Sequence, residues 1–302
     1  MASKQSEKLI IAYKAVLGEL GANPDMPLPD VRALFEHMGD VTAEPGGIDF
    51  IETAAAGVPA MWAVPKGCTE DRVLLCAHGG GYSFGSMYTH RKLYGHCAKT
   101  IGCRALIVHY NRSPEHPHPG PVNDMAKAYR WVLDQGITPN HIAVIGDSAG
   151  GALAITTLLR LREQGLPMPA ATMPLSPWLD MDGGGASFQG NKQVDALVAR
   201  EMLGDMVKMF LGENGNRHDP LVNPLHGDLR GLPPAYIQVG GHEVLLDDSR
   251  DLAEALRRAD GEVKLDVFPE MQHVFQFLAG AAPEADDAIA KLAAWARPKL
   301  GL

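Results

Sequence analysis

From about residue 47 onward, short apolar runs of strand length alternate with amphipathic segments of helix length, and this rhythm restricts the fold more than any other feature of the chain. The runs GGIDFIET and VPAMWAVP read as an antiparallel pair that opens a sheet. RVLLCAH, RALIVHY, HIAVIG, AATMPLS, PAYIQVGG and VKLDVFPE follow as further strands. RVLLCAH is a short apolar run ending in glycines, as suits a strand buried on both faces. Helices are expected between them, over about 88–100, over PVNDMAKAYRWVLDQG with Pro at its start and Gly at its end, over 148–164, over DDSRDLAEALRRA and over 283–298. Repeated strand–helix crossovers require a mostly parallel sheet covered by helices on both faces, an α/β fold.

Two segments break the rhythm, the first forty or so residues and roughly 182–223. Within the second, VDALVAREMLGDMVKMFLG has helical spacing and sets Val198, Met202, Met206 and Met209 on about one face. Such a stripe packs on a core, and flexible Met side chains there also suit the wall of an apolar pocket under a lid.

The formal net charge of −9 disfavours nucleic acid, which asks for a basic face. The N-terminal stretch is interrupted by Lys4, Glu7, Lys8 and Lys14, so it reads as an amphipathic helix and not as a secretory signal. No run approaches the roughly 20 apolar residues of a membrane span. Cys68, Cys76, Cys97 and Cys103 form no CxxC pair and read as reduced, mostly buried thiols of a cytoplasmic protein. His116 and His118 fall in a proline-rich loop, HEVLL at 242–246 is not H-E-x-x-H, and no metal site is expected.

The chemistry is carried by AVIGDSAGGALAI. A strand runs into Gly146-Asp147-Ser148-Ala149-Gly150 and a helix leaves it, which is the strand–turn–helix corner of a nucleophile elbow. Ser148 could instead cap the helix, but an N-cap needs no glycine two residues to each side. Upstream, His78-Gly79-Gly80-Gly81 follows an earlier strand and offers unhindered N–H groups for an oxyanion, beside the N–H of Ala149. It is neither G-x-G-x-x-G nor a P-loop. With the partners in the order serine, acid, histidine on later loops, His273 is the expected base, since it follows the last strand; His242 comes too early.

HGGGY, GDSAGG and the downstream EVLLDD and HVFQF resemble the hormone-sensitive-lipase-like family of microbial carboxylesterases, within the α/β-hydrolase fold. The resemblance runs from about Val58 to the C-terminus. It implies a catalytic core over 46–181 and 224–302, and a helical cap from 1–45 and 182–223. It further implies cleavage of short- to medium-chain carboxylic esters without a cofactor, with Ser148 as nucleophile, His273 as base, and Gly80, Gly81 and Ala149 as oxyanion donors. Tyr82, Met202, Met206 and Met209 are the expected pocket residues. A small-molecule ester is the expected partner, and a homodimer is compatible with the chain. Lactone or small-amide cleavage would use the same residues, and a non-catalytic binding protein of this fold is the more distant alternative. In NRSPEHP, Asn111 stands where the family has arginine, which bears on local loop packing.

The acid lies among Glu243, Asp247 and Asp248. The segment 241–247 fits the family frame Gly-x-Asp-x-Leu-x-Asp with Glu243 in the first acidic place. Glutamate serves as a triad acid. Glu243 is therefore the expected acid and Asp247 the alternative, while Asp247 and Asp248 stand where acidic groups cap a following helix.

Overall fold

The computed structural model describes residues 2–302. The strands are β1 (Ile48–Ala55), β2 (Val58–Pro65), β3 (Thr69–Ala77), β4 (Cys103–Val108), β5 (Ile142–Asp147), β6 (Ala171–Leu175), β7 (Ala235–Gly240) and β8 (Val263–Phe268). They form one sheet in the order β1-β2-β4-β3-β5-β6-β7-β8. β2 runs antiparallel to β1 and to β4, and every other pair is parallel. The helices are α1 (Glu7–Ala22), α2 (Leu28–Glu36), α3 (Met87–Ile101), α4 (Gly120–Asp134), α5 (Ala149–Glu163), α6 (Ala186–Gly190), α7 (Arg200–Leu211), α8 (Leu246–Arg258) and α9 (Pro283–Lys299).

The central strands are buried to their last residue because both faces are covered. The crossover through α3 steps from β3 out to β4, whereas the one through α4 steps back past β3 to β5. Two right-handed crossovers of opposite direction put their helices on opposite faces. α3 accordingly packs with α9, and α4 with α5. This reversal makes β3 and β5 neighbours whose chains leave in different directions, and a crevice opens at their carboxyl ends. The HGGG loop leaves β3 and the serine elbow leaves β5, with Ala77 paired to Gly146 across the ladder. β7 and β8 release the acid and histidine loops on the same edge.

The 182–223 segment differs from expectation in one respect. Helix α7 begins only at Arg200, so Val198 lies in the loop before it. The buried face of α7 is Leu203, Met206, Val207 and Phe210, one residue round from the stripe 198, 202, 206, 209. In α1 the buried face is Leu9, Tyr13 and Val16, with helical spacing. All four cysteines are free, and Cys76, Cys97 and Cys103 are buried.

Candidate active site

Ser148 has φ 54° and ψ −122°, a strained conformation for a residue with a Cβ. The elbow is closed too tightly for side chains at its flanks. A Cβ on Gly146 would run into the carbonyl oxygen of Gly150, and one on Gly150 into that of Ala77 at the end of β3. The Ser148 side chain makes no capping bond to α5. Its hydroxyl lies 2.9 Å from Nε2 of His273.

His273 Nδ1 lies 2.7 Å from Oε2 of Glu243. The second oxygen of Glu243 accepts from the N–H of Gly240 at 2.6 Å and from the hydroxyl of Ser176 at 2.8 Å. With the imidazole proton assigned to Nδ1 by the carboxylate, Nε2 is left to accept from serine. Burial works against the charged imidazole, but the Glu243 carboxylate, with Asp195 and Asp147 farther off, outweighs it. The pKa of His273 therefore lies above the ordinary histidine value. The Tyr13 hydroxyl, on α1, donates to the His273 carbonyl at 2.6 Å.

Asp247 and Asp248 are elsewhere, and they do not cap their own helix. Asp247 accepts from the N–H of Ser187 at 2.7 Å and pairs with Arg250. Asp248 accepts from the N–H groups of Leu179 and Asp180. Both carboxylates tie α8 to the chain after β6.

Gly80 and Gly81 have φ 109° and 58°, in the region that favours glycine. Among the described residues, no internal acceptor takes the N–H groups of Gly80, Gly81 or Ala149. Ala149 is the first residue of α5, where N–H groups have no partner within the helix. The HGGG loop is latched to the elbow by Asp147, whose Oδ1 accepts from Gly79 N–H at 3.1 Å and from the Tyr94 hydroxyl at 2.6 Å. Its Oδ2 faces His90 Nε2 at 3.2 Å.

A narrow cavity of about 60 Å³ opens on Ser148 and His273. Gly80, Gly81, Met202 and Met206 line it, as do Phe35, Met38 and Trp178. Tyr82 and Met209 are not among its lining residues, contrary to expectation. The Tyr82 ring is buried flat against Phe210, 3.7 Å between centroids, and Met209 lies on the flank of α7, partly buried against the core. Met206 does reach the centre, for its sulfur fills the space that a Cβ on Gly81 would need.

Three contributors were missed in the sequence reading, Ser176, Tyr13 and Arg32. Arg32 donates to the carbonyls of Ser83 and Ser113 and pairs with Glu115, joining α2 to the loops flanking the glycines. Ser176 alone had a usable signal, its place as the last residue of an expected strand, just past the end of β6. Asn111 donates through its amide and its backbone N–H to Asp124. In the proline-rich loop, His118 pairs with Asp219 at 3.1 Å.

A family model described as alpha/beta hydrolase fold matches residues 74–277. The chain is 39% identical over 297 residues to an acetyl-hydrolase of Streptomyces hygroscopicus, covering 93% of this chain and 98% of that one. It is 38% identical to an esterase of Acinetobacter venetianus, over 72% of each. Among solved structures it is similar to an esterase from the bacterial hormone-sensitive lipase family, with TM-score 0.94, 40% identity and 99% of each chain covered. EstE5, in a crystal soaked with p-nitrophenyl butyrate, gives TM-score 0.90 at 34% identity, with each chain covered in full. By its sheet order, its elbow and these likenesses, the chain belongs to the α/β-hydrolase fold family, in the hormone-sensitive-lipase-like group of bacterial esterases.

Proposed function

We propose that this carboxylic ester hydrolase cleaves short- to medium-chain esters through an acyl-enzyme formed on Ser148. His273 Nε2 takes the serine proton as Oγ attacks the ester carbonyl. The carbonyl electron pair moves onto oxygen, which Gly80, Gly81 and Ala149 receive through their N–H groups. When the C–O bond breaks, His273 passes the proton to the leaving alkoxide. A water molecule, deprotonated by the same nitrogen, then releases the acid and restores the serine. Glu243 orients the imidazole and stabilises its charged form without taking the proton.

The observation that carries this reading is the unbroken chain Ser148 Oγ, His273, Glu243, with 2.9 and 2.7 Å between successive partners. The first two groups face a mostly apolar cavity. In the same reading, helices α1 and α2 and the 182–223 segment act as the cap over the crevice. The small cavity supports short acyl groups, and the p-nitrophenyl butyrate used with EstE5 is a suitable first substrate.

Ser148→Ala should keep the fold and lose activity on p-nitrophenyl butyrate by about three orders of magnitude or more. A fluorophosphonate should label wild type and not the variant. Retention of more than about a tenth of the wild-type rate would sink the assignment.

A further inference from the structure

The segment between α6 and α7 holds a carboxylate that the chemistry above does not use. Asp195 Oδ1 accepts from the N–H groups of Leu197 and Val198, at 2.9 and 2.8 Å. Its Oδ2 accepts from the N–H of Val244 at 2.8 Å, the residue after the acid. On the other side, the Gln272 side chain, adjacent to the base, accepts from Ala196 N–H at 2.7 Å and donates to the Val194 carbonyl at 2.9 Å. Asn191 donates to the carbonyls of Gly241 and Glu243 at 3.0 and 2.8 Å. A stretch of eight residues, 191–198, thus grips the acid loop on both sides of Glu243 and the base loop at the residue before His273.

We infer that Asp195 is a positioning residue for the triad, holding the acid loop and the inserted segment in one clasp and adding a further negative charge near the imidazole of His273. This rests on the reading of His273 as the base. The donor arithmetic explains why a carboxylate stands here. Three N–H groups arrive at two oxygens from two directions, and an amide offers only one acceptor oxygen. Among the described residues no lysine or arginine pairs with Asp195. The cation it serves is the imidazolium that forms during attack. The other groups that face His273 are Glu243 from the acid loop, Asp147 at the end of β5, and the Tyr13 hydroxyl from α1. Burial raises the Asp195 pKa, and the nearby His273 works to lower it.

The test is the pH profile of kcat/KM on p-nitrophenyl butyrate for Asp195→Asn and Asp195→Ser, with Asn191→Ala as the variant that loosens the clasp without changing charge. Both Asp195 variants should lower kcat about tenfold or more while KM changes by less than about threefold. Their acidic limb should move to lower pH by about half a unit or more, because a negative charge that favoured the imidazolium is gone. Asn191→Ala should lower kcat and leave the limb in place. An unmoved limb in the Asp195 variants overturns the inference, as does an equal movement in Asn191→Ala. Fluorophosphonate labelling of wild-type Ser148, followed over the same pH range, separates the two levels. If labelling of the wild type fails, the triad reading falls; if it succeeds and the Asp195 variants keep the wild-type limb, only the clasp falls. Should neither Asp195 variant fold, hydrogen exchange of the wild type decides. The amides of Leu197, Val198 and Val244 should lose protection together on acidification, and independent loss overturns the inference.

Discussion

In the mechanism we propose, Glu243 takes with a longer side chain the place that the family frame gives to aspartate, and its hydrogen bonds hold it there. Gly240 N–H and Ser176 Oγ fix Oε1, so the extra methylene does not leave the carboxylate free to swing and Oε2 stays on His273. Glu243→Gln should cut kcat by about three orders of magnitude or more with little loss of stability. Asp247→Asn should leave kcat within about threefold and cost roughly 1 kcal/mol in urea unfolding, from its bonds to Ser187 and Arg250. The reverse pattern would hand the role to Asp247. The His273 pKa is raised, so in the proposed mechanism the base stays protonated, and idle, up to a higher pH than an ordinary imidazole would. The acidic limb of wild-type kcat/KM should therefore lie above the ordinary histidine value of about 6.5, and it should fall when Glu243 loses its charge. Initial rates between pH 5 and 9 decide both.

At the scale of elements, the helices outside the alternating pattern are held by a few long-range bonds, and a buried carboxyl at the start of α8 records one cost of that arrangement. Asp248 is buried, and burial pushes its pKa up to about 7 against the pull of the Leu179 and Asp180 N–H groups. The folded state thus keeps a proton that the unfolded chain releases near pH 4. Between about pH 4 and 7 the native state binds more protons than the unfolded state, so this group's contribution to stability falls as pH rises through that window. Asp248→Asn removes the dependence and retains an acceptor. Its urea midpoint relative to wild type should be higher at pH 8 than at pH 5. A constant difference at the two pH values would refute the account.

At the scale of the whole molecule, Ser148 and His273 lie between the carboxyl edge of the sheet and the helices above it, and in the proposed reading the space left there limits the substrate. Met38 lines the catalytic cavity and also an outer groove between α1 and α2 walled by Ala12, Val16 and Leu34. It stands as a partition between the two. Wild type should prefer p-nitrophenyl butyrate to the palmitate ester by about tenfold or more, since a long acyl chain would have to displace the walls of so small a cavity. Met38→Ala should join the spaces and raise the octanoate-to-butyrate ratio of kcat/KM by about fourfold or more. A ratio unchanged in Met38→Ala, with the variant folded, would place the limit on chain length elsewhere.

Much of this was legible in the chain, for identifiable reasons. The central strands were visible because burial on both faces leaves them mostly apolar. The elbow was visible because Gly146 answers to the backbone of Gly150, just past the serine, and Gly150 to the strand beside it. A parallel sheet releases its loops at one edge, so the partners of the serine were to be sought just past later strands, in the serine, acid, histidine order of the α/β-hydrolase fold. What the sequence could not supply depends on contacts across great separations. Tyr13 meets His273 across 260 residues, Ser176 meets Glu243 across 67, and Asp195 meets Val244 across 49. The face of α7 was misjudged by one residue because the helix starts at Arg200, later than its apolar spacing implied. The pairing of Tyr82 with Phe210 removed the tyrosine from the cavity, and no local pattern announces such a pairing. The sequence by itself determined the sheet, the corner that strains Ser148 and the loops that carry its partners, since periodicity and glycine sterics are local. Only the tertiary structure decided which side chains surround the imidazole and wall the pocket, because hydrogen bonds and packing are set by distance in space.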